Sequence, residues 1–275
     1  MKEKNVILTY TAFMSVISTS LGGYVACGAQ KYRVNVHGKE ETKQVSRPNT
    51  NTSIQKQTAS ASLAGVHSSK GWVGNLPIKY KLSTEIKDET SQYLMAAMKS
   101  WEAAVGMKLF EFAGKEELKG ASFKDLYAPL DDKTNGHYLD WNWAQATGKS
   151  NSVLATTIWE NNPKDQSSIT KADIRYNAEF YLFGDSIKEY SQGAKTIVDL
   201  ESLALHELGH LIGLTHISDT VDKFSVMNPS LFIGEGMITR RLSEGDINRV
   251  RSVYRGGDLS LAATLEKADD FSQSN

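Results

Sequence analysis

Three histidines, one glutamate and one glycine lie within eleven consecutive residues, from His206 to His216. Residues four apart on a helix share a face, so the imidazoles of His206 and His210 can point at a single metal ion. Gly213 allows the chain to leave that helix with a positive φ, and His216 can then approach the same ion from the other side. Three neutral imidazoles with one open position are typical of a catalytic zinc site, whereas a structural zinc site is closed by four protein ligands.

Glu207 lies next to the first histidine and can reach a water molecule bound to such an ion. It would take a proton from that water as general base and pass it to the leaving amine as general acid. The chain has 6 histidines and 21 glycines in 275 residues, so the three histidines and the glycine match by chance at a given position with a probability of roughly 8 × 10⁻⁷. The spacing therefore predicts a hydrolytic site with one catalytic Zn2+ ion.

The helix that must present these ligands is predicted to begin at Asp199. Residues 200–212 are apolar on most sides, and a helix that is apolar all round is buried inside its domain. Burial of two histidines and a glutamate costs free energy unless they have a partner, and a metal ion supplies one. The composition of the helix and the spacing of its polar residues thus point to the same site.

Several other segments have the periodicities of regular structure and would surround that helix. Alternation of apolar and polar residues predicts strands, and apolar residues at helical spacing predict helices. The predicted strands cover 76–82, 107–112, 152–159 and the extended stretch 172–183; the predicted helices run from Asp88 to Gly106 and, after a capping-box-like start at Ser243, to Gly256. Residues 114–150 are expected to form loops and a short strand.

The N-terminal residues differ in composition from the rest of the chain. A positively charged start and an apolar stretch ending in small residues predict a bacterial secretory signal peptide over residues 1–27. Cys27 is the sole cysteine and stands where a lipobox cysteine would be acylated, although Tyr24 replaces the leucine usual in that pattern. The alternative is an incidental cysteine within a signal that is cut elsewhere.

The remaining boundaries follow from composition. Residues 28–70 are polar and predict a disordered tether, residues 71–256 a folded domain, and residues 257–275 a polar C-terminal tail. The formal net charge is -1 and no basic stripe is present, so nucleic acid is not an expected partner. We expect export, either as a cell-envelope lipoprotein of the outer membrane or cell surface, held to the membrane by an N-terminal lipid anchor, or as a secreted protein.

The zinc motif is followed by Ser225-Val226-Met227-Asn228-Pro229, and together they resemble the metzincin metalloproteases. Within that clan the chain resembles the matrixins, with weaker matching segments in the same order over residues 71–256. The resemblance implies an α+β fold, a metzincin-like domain with a twisted, mostly parallel five-stranded sheet, one antiparallel edge strand and about three helices including the zinc-binding helix. It also implies that Met227 forms a turn beneath the ion without binding it.

The resemblance further implies where a substrate would lie. Leu154 and Ala155 match the rim strand that pairs with an extended peptide, and the segment from Asn228 and Pro229 would form a wall of the pocket for the residue after the scissile bond. The apolar residues 231–233 could line this pocket and make it apolar. Alternatively, they are buried beneath the pocket and do not line it. The expected protein is a monomeric zinc-dependent endopeptidase whose partner is a polypeptide substrate.

Some features depart from the matrixin pattern. The chain has no propeptide cysteine that could block the zinc ion, so latency of that kind is not expected. Only His137 and Asp140 could belong to the second, structural zinc site of matrixins, and we expect that site to be absent. Calcium binding cannot be assigned to residues, and four carboxylates are expected to be ordinary surface groups: Asp131, Asp132, Asp165 and Asp173.

Two functions from different classes remain open at this point. One is the zinc endopeptidase, and the other is an envelope-anchored binding or adhesion lipoprotein that retains the metzincin fold without physiological proteolysis. The intact Glu207 favours the enzyme, because a binding protein has no need for a general base at that position.

Overall fold

The computed structural model describes residues 22–31, 65–117 and 123–254, and for residues 22–31 it describes the backbone alone. The first part of the predicted signal peptide, most of the predicted tether and the predicted C-terminal tail lie outside these ranges. The predictions made for those segments therefore stay predictions.

Within the described ranges the chain forms strands and helices of very different lengths. In chain order they are β1 (Gly22–Lys31), β2 (Ile78–Ser83), α1 (Asp88–Val105), β3 (Phe110–Glu116), β4 (Gly136–Asp140), α2 (Trp143–Thr147), β5 (Val153–Asn162), β6 (Asp165–Asn177), β7 (Tyr181–Gly184), β8 (Thr196–Asp199), α3 (Leu200–Leu211), β9 (Ser230–Ile233) and α4 (Glu244–Tyr254). None of these helices has both the length and the apolar character needed to cross a membrane.

One large sheet organises the molecule, with the strand order β3-β2-β4-β6-β5-β1-β9. The neighbours among β3, β2, β4 and β6 pair in parallel, and β5 pairs antiparallel with β6. These five strands confirm the predicted α+β fold with a mostly parallel sheet and one antiparallel strand. Two further strands extend the sheet beyond β5: β1 pairs antiparallel with β5 and parallel with β9.

Helices α1 and α3 pack against each other and hold the core beneath the sheet. The apolar side chains predicted for α1 at helical spacing are all buried: Leu94, Met98, Trp101 and Val105. The indole N–H of Trp101 donates to the carbonyl of Leu205 in α3 over 3.0 Å. Gly106 ends α1 with φ 74°, a conformation that a residue without a side chain adopts at little cost.

The structure differs from the predicted elements in several places. Strands β8 and β9, of four residues each, were not predicted. Helix α2 lies in the stretch expected to hold only loops and a short strand, because five residues are too few to show a helical period. The extended stretch 172–183 contains two strands, β6 and β7, separated by a turn. Strand β3 begins at Phe110, later than expected.

Candidate metal centre and catalytic carboxylate

Helix α3 carries the candidate ligands and is held at both ends by side chains from elsewhere. The helix begins at Leu200, one residue after the predicted start, and Asp199 is its N-cap, with Oδ2 accepting from the backbone N–H of Ser202 at 3.0 Å. At the other end, the indole N–H of Trp72 donates to the carbonyl of Leu211 over 2.8 Å, and the hydroxyl of Tyr254 donates to the carbonyl of Ile212 over 2.9 Å. These donors satisfy carbonyls that a helix end leaves without an intrahelical partner.

The three predicted ligands lie together. Nε2 of His206 is 3.0 Å from Nε2 of His210 and 3.2 Å from Nε2 of His216. Among the described residues these three form the group whose ligand atoms all lie within 4.8 Å of one another. A tetrahedral zinc site with Zn–N bonds of 2.0–2.1 Å places its nitrogen ligands about 3.3 Å apart, so the spacing fits that metal.

Hydrogen bonds at Nδ1 of His206 and of His210 determine that Nε2 of each ring faces the candidate metal position. Nδ1 of His206 lies 2.7 Å from the carbonyl oxygen of Val226, and Nδ1 of His210 lies 2.9 Å from that of Leu214. A carbonyl only accepts, so each Nδ1 carries the proton and each Nε2 of a neutral ring presents a lone pair. Two such lone pairs 3.0 Å apart repel each other unless a cation lies between them, which indicates a metal site.

Burial keeps these imidazoles neutral. It lowers the pKa of His206 to about 4 and that of His216 to about 3, and it lowers the pKa of His210 well below its ordinary value. Neutral rings are the form that binds a metal ion, so the site requires no deprotonation of its ligands near pH 7.

Gly213 makes the turn that brings the third histidine back, with φ 112° as the sequence predicted. A Cβ at this position would also lie 3.0 Å from the carbonyl oxygen of Ser68. Residues 65–70 therefore pack against the segment that leads from α3 to His216. His67 is part of this contact, because its Nε2 lies 2.8 Å from the carbonyl oxygen of His210.

Met227 packs against the helix between the two ligands that α3 carries. Its side chain is fully buried, and a Cβ at Gly209 would lie 2.3 Å from its sulfur. Gly209 is therefore required for the close approach of the methionine to α3, since any side chain there would displace the sulfur. Met227 therefore lies against α3 at Gly209, between the two ligands of the helix, and its place beneath the ion stays what the resemblance implies.

Asp246 holds the turn that contains Met227, a role that sequence reasoning did not identify. Its Oδ2 accepts from the backbone N–H of Val226 at 2.9 Å, and its Oδ1 accepts from the hydroxyl of Ser225 at 2.5 Å. Asp246 and Ser243 also cap α4 reciprocally, each backbone N–H donating to the other's side chain at 3.0 Å. Asp246 ends the capping-box-like segment that starts at Ser243, but only the fold brings its side chain to the turn at Met227.

Glu207 is fully buried beside the ligands and is held by a threonine. The hydroxyl of Thr157 in β5 lies 2.7 Å from Oε2 of Glu207, while Oε1 has no hydrogen-bond partner among the described residues. Burial raises the pKa of Glu207 to about 8, and the hydrogen bond from Thr157 opposes that rise. A buried carboxylate oxygen without a partner is costly, which marks Oε1 as the atom that would face a reactant.

The residues predicted to contact substrate lie in β5 and in the segment that leads into β9. Leu154 and Ala155 lie in β5 with buried side chains. Asn228 donates its side-chain N–H to the carbonyls of Asp222 and Ser225, at 3.0 and 2.6 Å, and Pro229 leads into β9. In β9, Leu231 and Ile233 are buried and Phe232 is exposed, so this wall presents alternating side chains.

The two residues considered for a second zinc site have protein partners. Asp140 forms a buried ion pair with Arg175, whose Nε lies 3.0 Å from Asp140 Oδ2, and Nδ1 of His137 lies 3.1 Å from the hydroxyl of Tyr176. The guanidinium of Arg175 thus lies against the Asp140 carboxylate, where a structural metal ion would have to bind.

The expectation that Asp173 is a surface carboxylate is wrong. Its side chain is fully buried, its Oδ1 accepts from the backbone N–H of Gly136 at 2.7 Å, and burial raises its pKa well above the usual range. Residues 172–177 of β6 are all buried, so this part of the strand has no solvent-facing side on which Asp173 could lie.

Comparisons with known proteins agree with this geometry. A family model described as Matrixin matches residues 71–255. A metalloendoproteinase of Arabidopsis thaliana, 5-MMP, is 41% identical over 61 residues, which make up 22% of this chain and 16% of that protein. Because the match spans 16% of that relative, the activity in its name is a proposal for this chain.

Proposed function

This chain belongs to the matrixin family, and on that premise we propose that it is a zinc-dependent endopeptidase that hydrolyses peptide bonds in extended polypeptides. One observation carries the proposal: the Nε2 atoms of His206, His210 and His216 converge, and Glu207, the residue that follows the first ligand in α3, is a fully buried carboxylate with an oxygen that has no partner among the described residues. A metal site and a general base are the two components that metal-assisted hydrolysis requires.

The three histidines would hold the zinc ion through Nε2 and leave a position open. The bound ion supplies Lewis acidity, which polarises a peptide carbonyl and lowers the pKa of water. The carbonyls of Val226 and Leu214 keep the rings oriented by accepting from Nδ1, which also fixes the tautomer that binds metal.

Glu207 is the proton carrier. With Oε2 accepting from Thr157, Oε1 is left to accept a proton from the attacking water and then to deliver it to the leaving nitrogen. The raised pKa of about 8 suits both steps, because a group that titrates near the working pH can accept and release a proton readily. A cation bound at the adjacent histidines would favour the ionised form and lower that pKa.

The substrate is proposed to be an extended polypeptide that pairs with β5. Main-chain groups beside Leu154 and Ala155 would bind its backbone, and the segment from Asn228 and Pro229 into β9 would contact the side chain after the scissile bond. Backbone pairing confers little selectivity by itself, so the wall would determine which residues are accepted.

The binding or adhesion alternative has no specific support among the described contacts. A protein that only binds gains nothing from a fully buried carboxylate with an unpartnered oxygen, because that arrangement destabilises the fold. Export and acylation of Cys27 are a separate proposal. Labelling with an alkyne fatty acid tests it, since Cys27→Ser would abolish the label if the proposal is correct.

The activity is tested with purified protein, casein and metal analysis. We expect one zinc ion per chain and hydrolysis that stops when a chelator removes it. Glu207→Ala should lose at least about 100-fold in kcat/KM and still bind zinc, whereas Glu244→Ala, an exposed glutamate at the start of α4, should behave like the unchanged protein. Unchanged hydrolysis by a folded Glu207→Ala variant would refute the mechanism.

A further inference from the structure

A short segment before the sheet, residues 65–68, lies along the connection between the second and third candidate ligands. We call this segment the strap. Val66 of the strap forms an antiparallel bridge with Leu214, whose carbonyl oxygen lies 2.9 Å from Nδ1 of His210. The strap therefore pairs with the backbone that orients a ligand ring, at the turn that brings His216 back toward the helix.

His67 holds this turn at both of its ends. Its backbone N–H donates to the carbonyl of Gly213 over 2.8 Å, and its Nε2 lies 2.8 Å from the carbonyl oxygen of His210. A carbonyl only accepts, so Nε2 carries the proton and donates it. The carbonyl of His210 also accepts from the backbone N–H of Gly213 over 3.0 Å. One strap residue thus contacts the two positions between which the chain leaves α3.

The ring of His67 also packs on β5. It stacks on the indole of Trp159, with 4.2 Å between the ring centroids and 28° between the planes. Side chains two residues apart on a strand share a face, so Trp159 lies on the same face of β5 as Thr157. Thr157 is the residue whose hydroxyl contacts the Glu207 carboxylate. The stack therefore holds the ring of His67 against the strand proposed to bind substrate.

The second ring nitrogen of His67 shows that the residue is not explained by packing. Nδ1 is shielded from solvent and has no hydrogen-bond partner among the described residues. A buried polar atom without a partner destabilises the fold, and an apolar ring at this position would keep the stack on Trp159 without that cost. The benefit of a histidine here must therefore come from the bond that its Nε2 donates to His210.

We propose that His67 is a positioning residue of the metal centre. Its Nε2 holds the carbonyl of His210, and its stack on Trp159 orients the ring for that bond, so the ligand-bearing end of α3 is fixed relative to β5. A displacement of about 1 Å between a reacting centre and its substrate can cost on the order of 100-fold in rate. The effect on catalysis rests on the proposed endopeptidase function, whereas the effect on ligand geometry requires only that the histidines bind a metal ion.

Two substitutions in the full chain separate the hydrogen bond from the stack. His67→Phe keeps an aromatic ring against Trp159 and removes the donor, whereas His67→Gln removes the ring and keeps an N–H donor at a similar distance from the backbone. For a peptide substrate we expect His67→Phe to lower kcat about 10-fold with KM within about twofold, and His67→Gln to keep kcat within about threefold of the unchanged chain. An equal loss of kcat in both variants, or in neither, would overturn the proposal.

Cobalt spectroscopy gives a readout that does not depend on hydrolysis. Co2+ binds imidazole nitrogens as other divalent metal ions do, and its visible absorption bands respond to the geometry of its ligands. We expect the bands to shift in His67→Phe and to coincide with those of the unchanged chain in His67→Gln. Coincident bands in all three chains would overturn this inference alone, even if the enzyme is active. If the unchanged chain bound no Co2+, the proposed function would fail and the role of His67 with it.

Ser68→Ala is the matched control for a general weakening of the strap. The hydroxyl of Ser68 donates to the carbonyl of Ser167 over 2.6 Å, so its loss removes a strap contact without removing a hydrogen bond to α3. We expect the urea midpoint of Ser68→Ala to fall while its kcat and Co2+ bands stay unchanged. His67→Phe should lose kcat with little change in the urea midpoint. If Ser68→Ala altered the bands as much as His67→Phe, any weakening of the strap would suffice and the assignment to His67 would be wrong.

Discussion

The hydroxyl of Thr157 donates a hydrogen bond to Oε2 of Glu207 over 2.7 Å, and both groups are fully buried. The contact joins the middle of β5 to the helix that carries the candidate metal ligands. It orients the carboxylate so that Oε1 stays open, and it favours the ionised form of an acid that burial drives toward the neutral form.

Thr157→Val should move the pH dependence of the enzyme. Loss of a hydrogen bond to the carboxylate raises the pKa of Glu207, so less of the base is ionised at a given pH below that pKa. The acidic limb of kcat/KM should shift upward by on the order of one pH unit. Thr157→Ser, which keeps the hydroxyl, is the control; coincident profiles for valine and serine would contradict the assignment.

Gly209→Ala should destabilise the fold by about 1–3 kcal/mol, because the added methyl group would meet the sulfur of Met227. Urea denaturation measures the change in the free energy of unfolding. The methionine is the cause only if the penalty shrinks when Met227→Ala is also present, as a double-mutant cycle would show. An equal penalty in both backgrounds would assign it to another neighbour.

Asp246→Asn should weaken zinc binding without touching a ligand. Asp246 holds the N–H of Val226, and the carbonyl of Val226 orients His206, so a disturbed turn loosens the ring. The expected loss in zinc affinity is about 10- to 100-fold, measured by competition with a chromophoric chelator. Asp219→Asn, at an exposed position in the preceding loop, should leave the affinity unchanged.

His137 should make the fold sensitive to acid. Burial lowers its pKa to about 3, so the folded state keeps the ring neutral while the unfolded chain takes up a proton near pH 6.5. The stability it contributes is complete above pH 6.5 and is lost as the pH falls toward 3, by about 2 kcal/mol between pH 7 and pH 5. His137→Gln should flatten that part of the urea-midpoint profile, and parallel profiles would show that other groups are responsible.

Local patterns in the sequence account for much of the candidate site. The spacing of His206 and His210 follows from the helical period, and the positive φ of Gly213 follows from a turn that other residues enter with strain. Asp199 at the start of α3 and Ser243 before α4 are caps, whose hydrogen bonds reach only three residues along the chain.

Other elements were missed because their signal was too short or ambiguous. Helix α2 has five residues, and β8 and β9 have four each, so none shows a full period of alternation. Asp173 and Arg175 are polar residues in a strand buried on both faces, where alternation does not distinguish a surface position from an interior one.

The sequence by itself determined the chemistry of the centre: which rings and which carboxylate come together, since they lie on one helix and the turn that follows it. Only the tertiary structure decided what holds them. Thr157 reaches Glu207, and Asp246 reaches the turn at Val226. These contacts join residues 20 or more positions apart, and their formation depends on how the chain closes its loops, which no local period encodes.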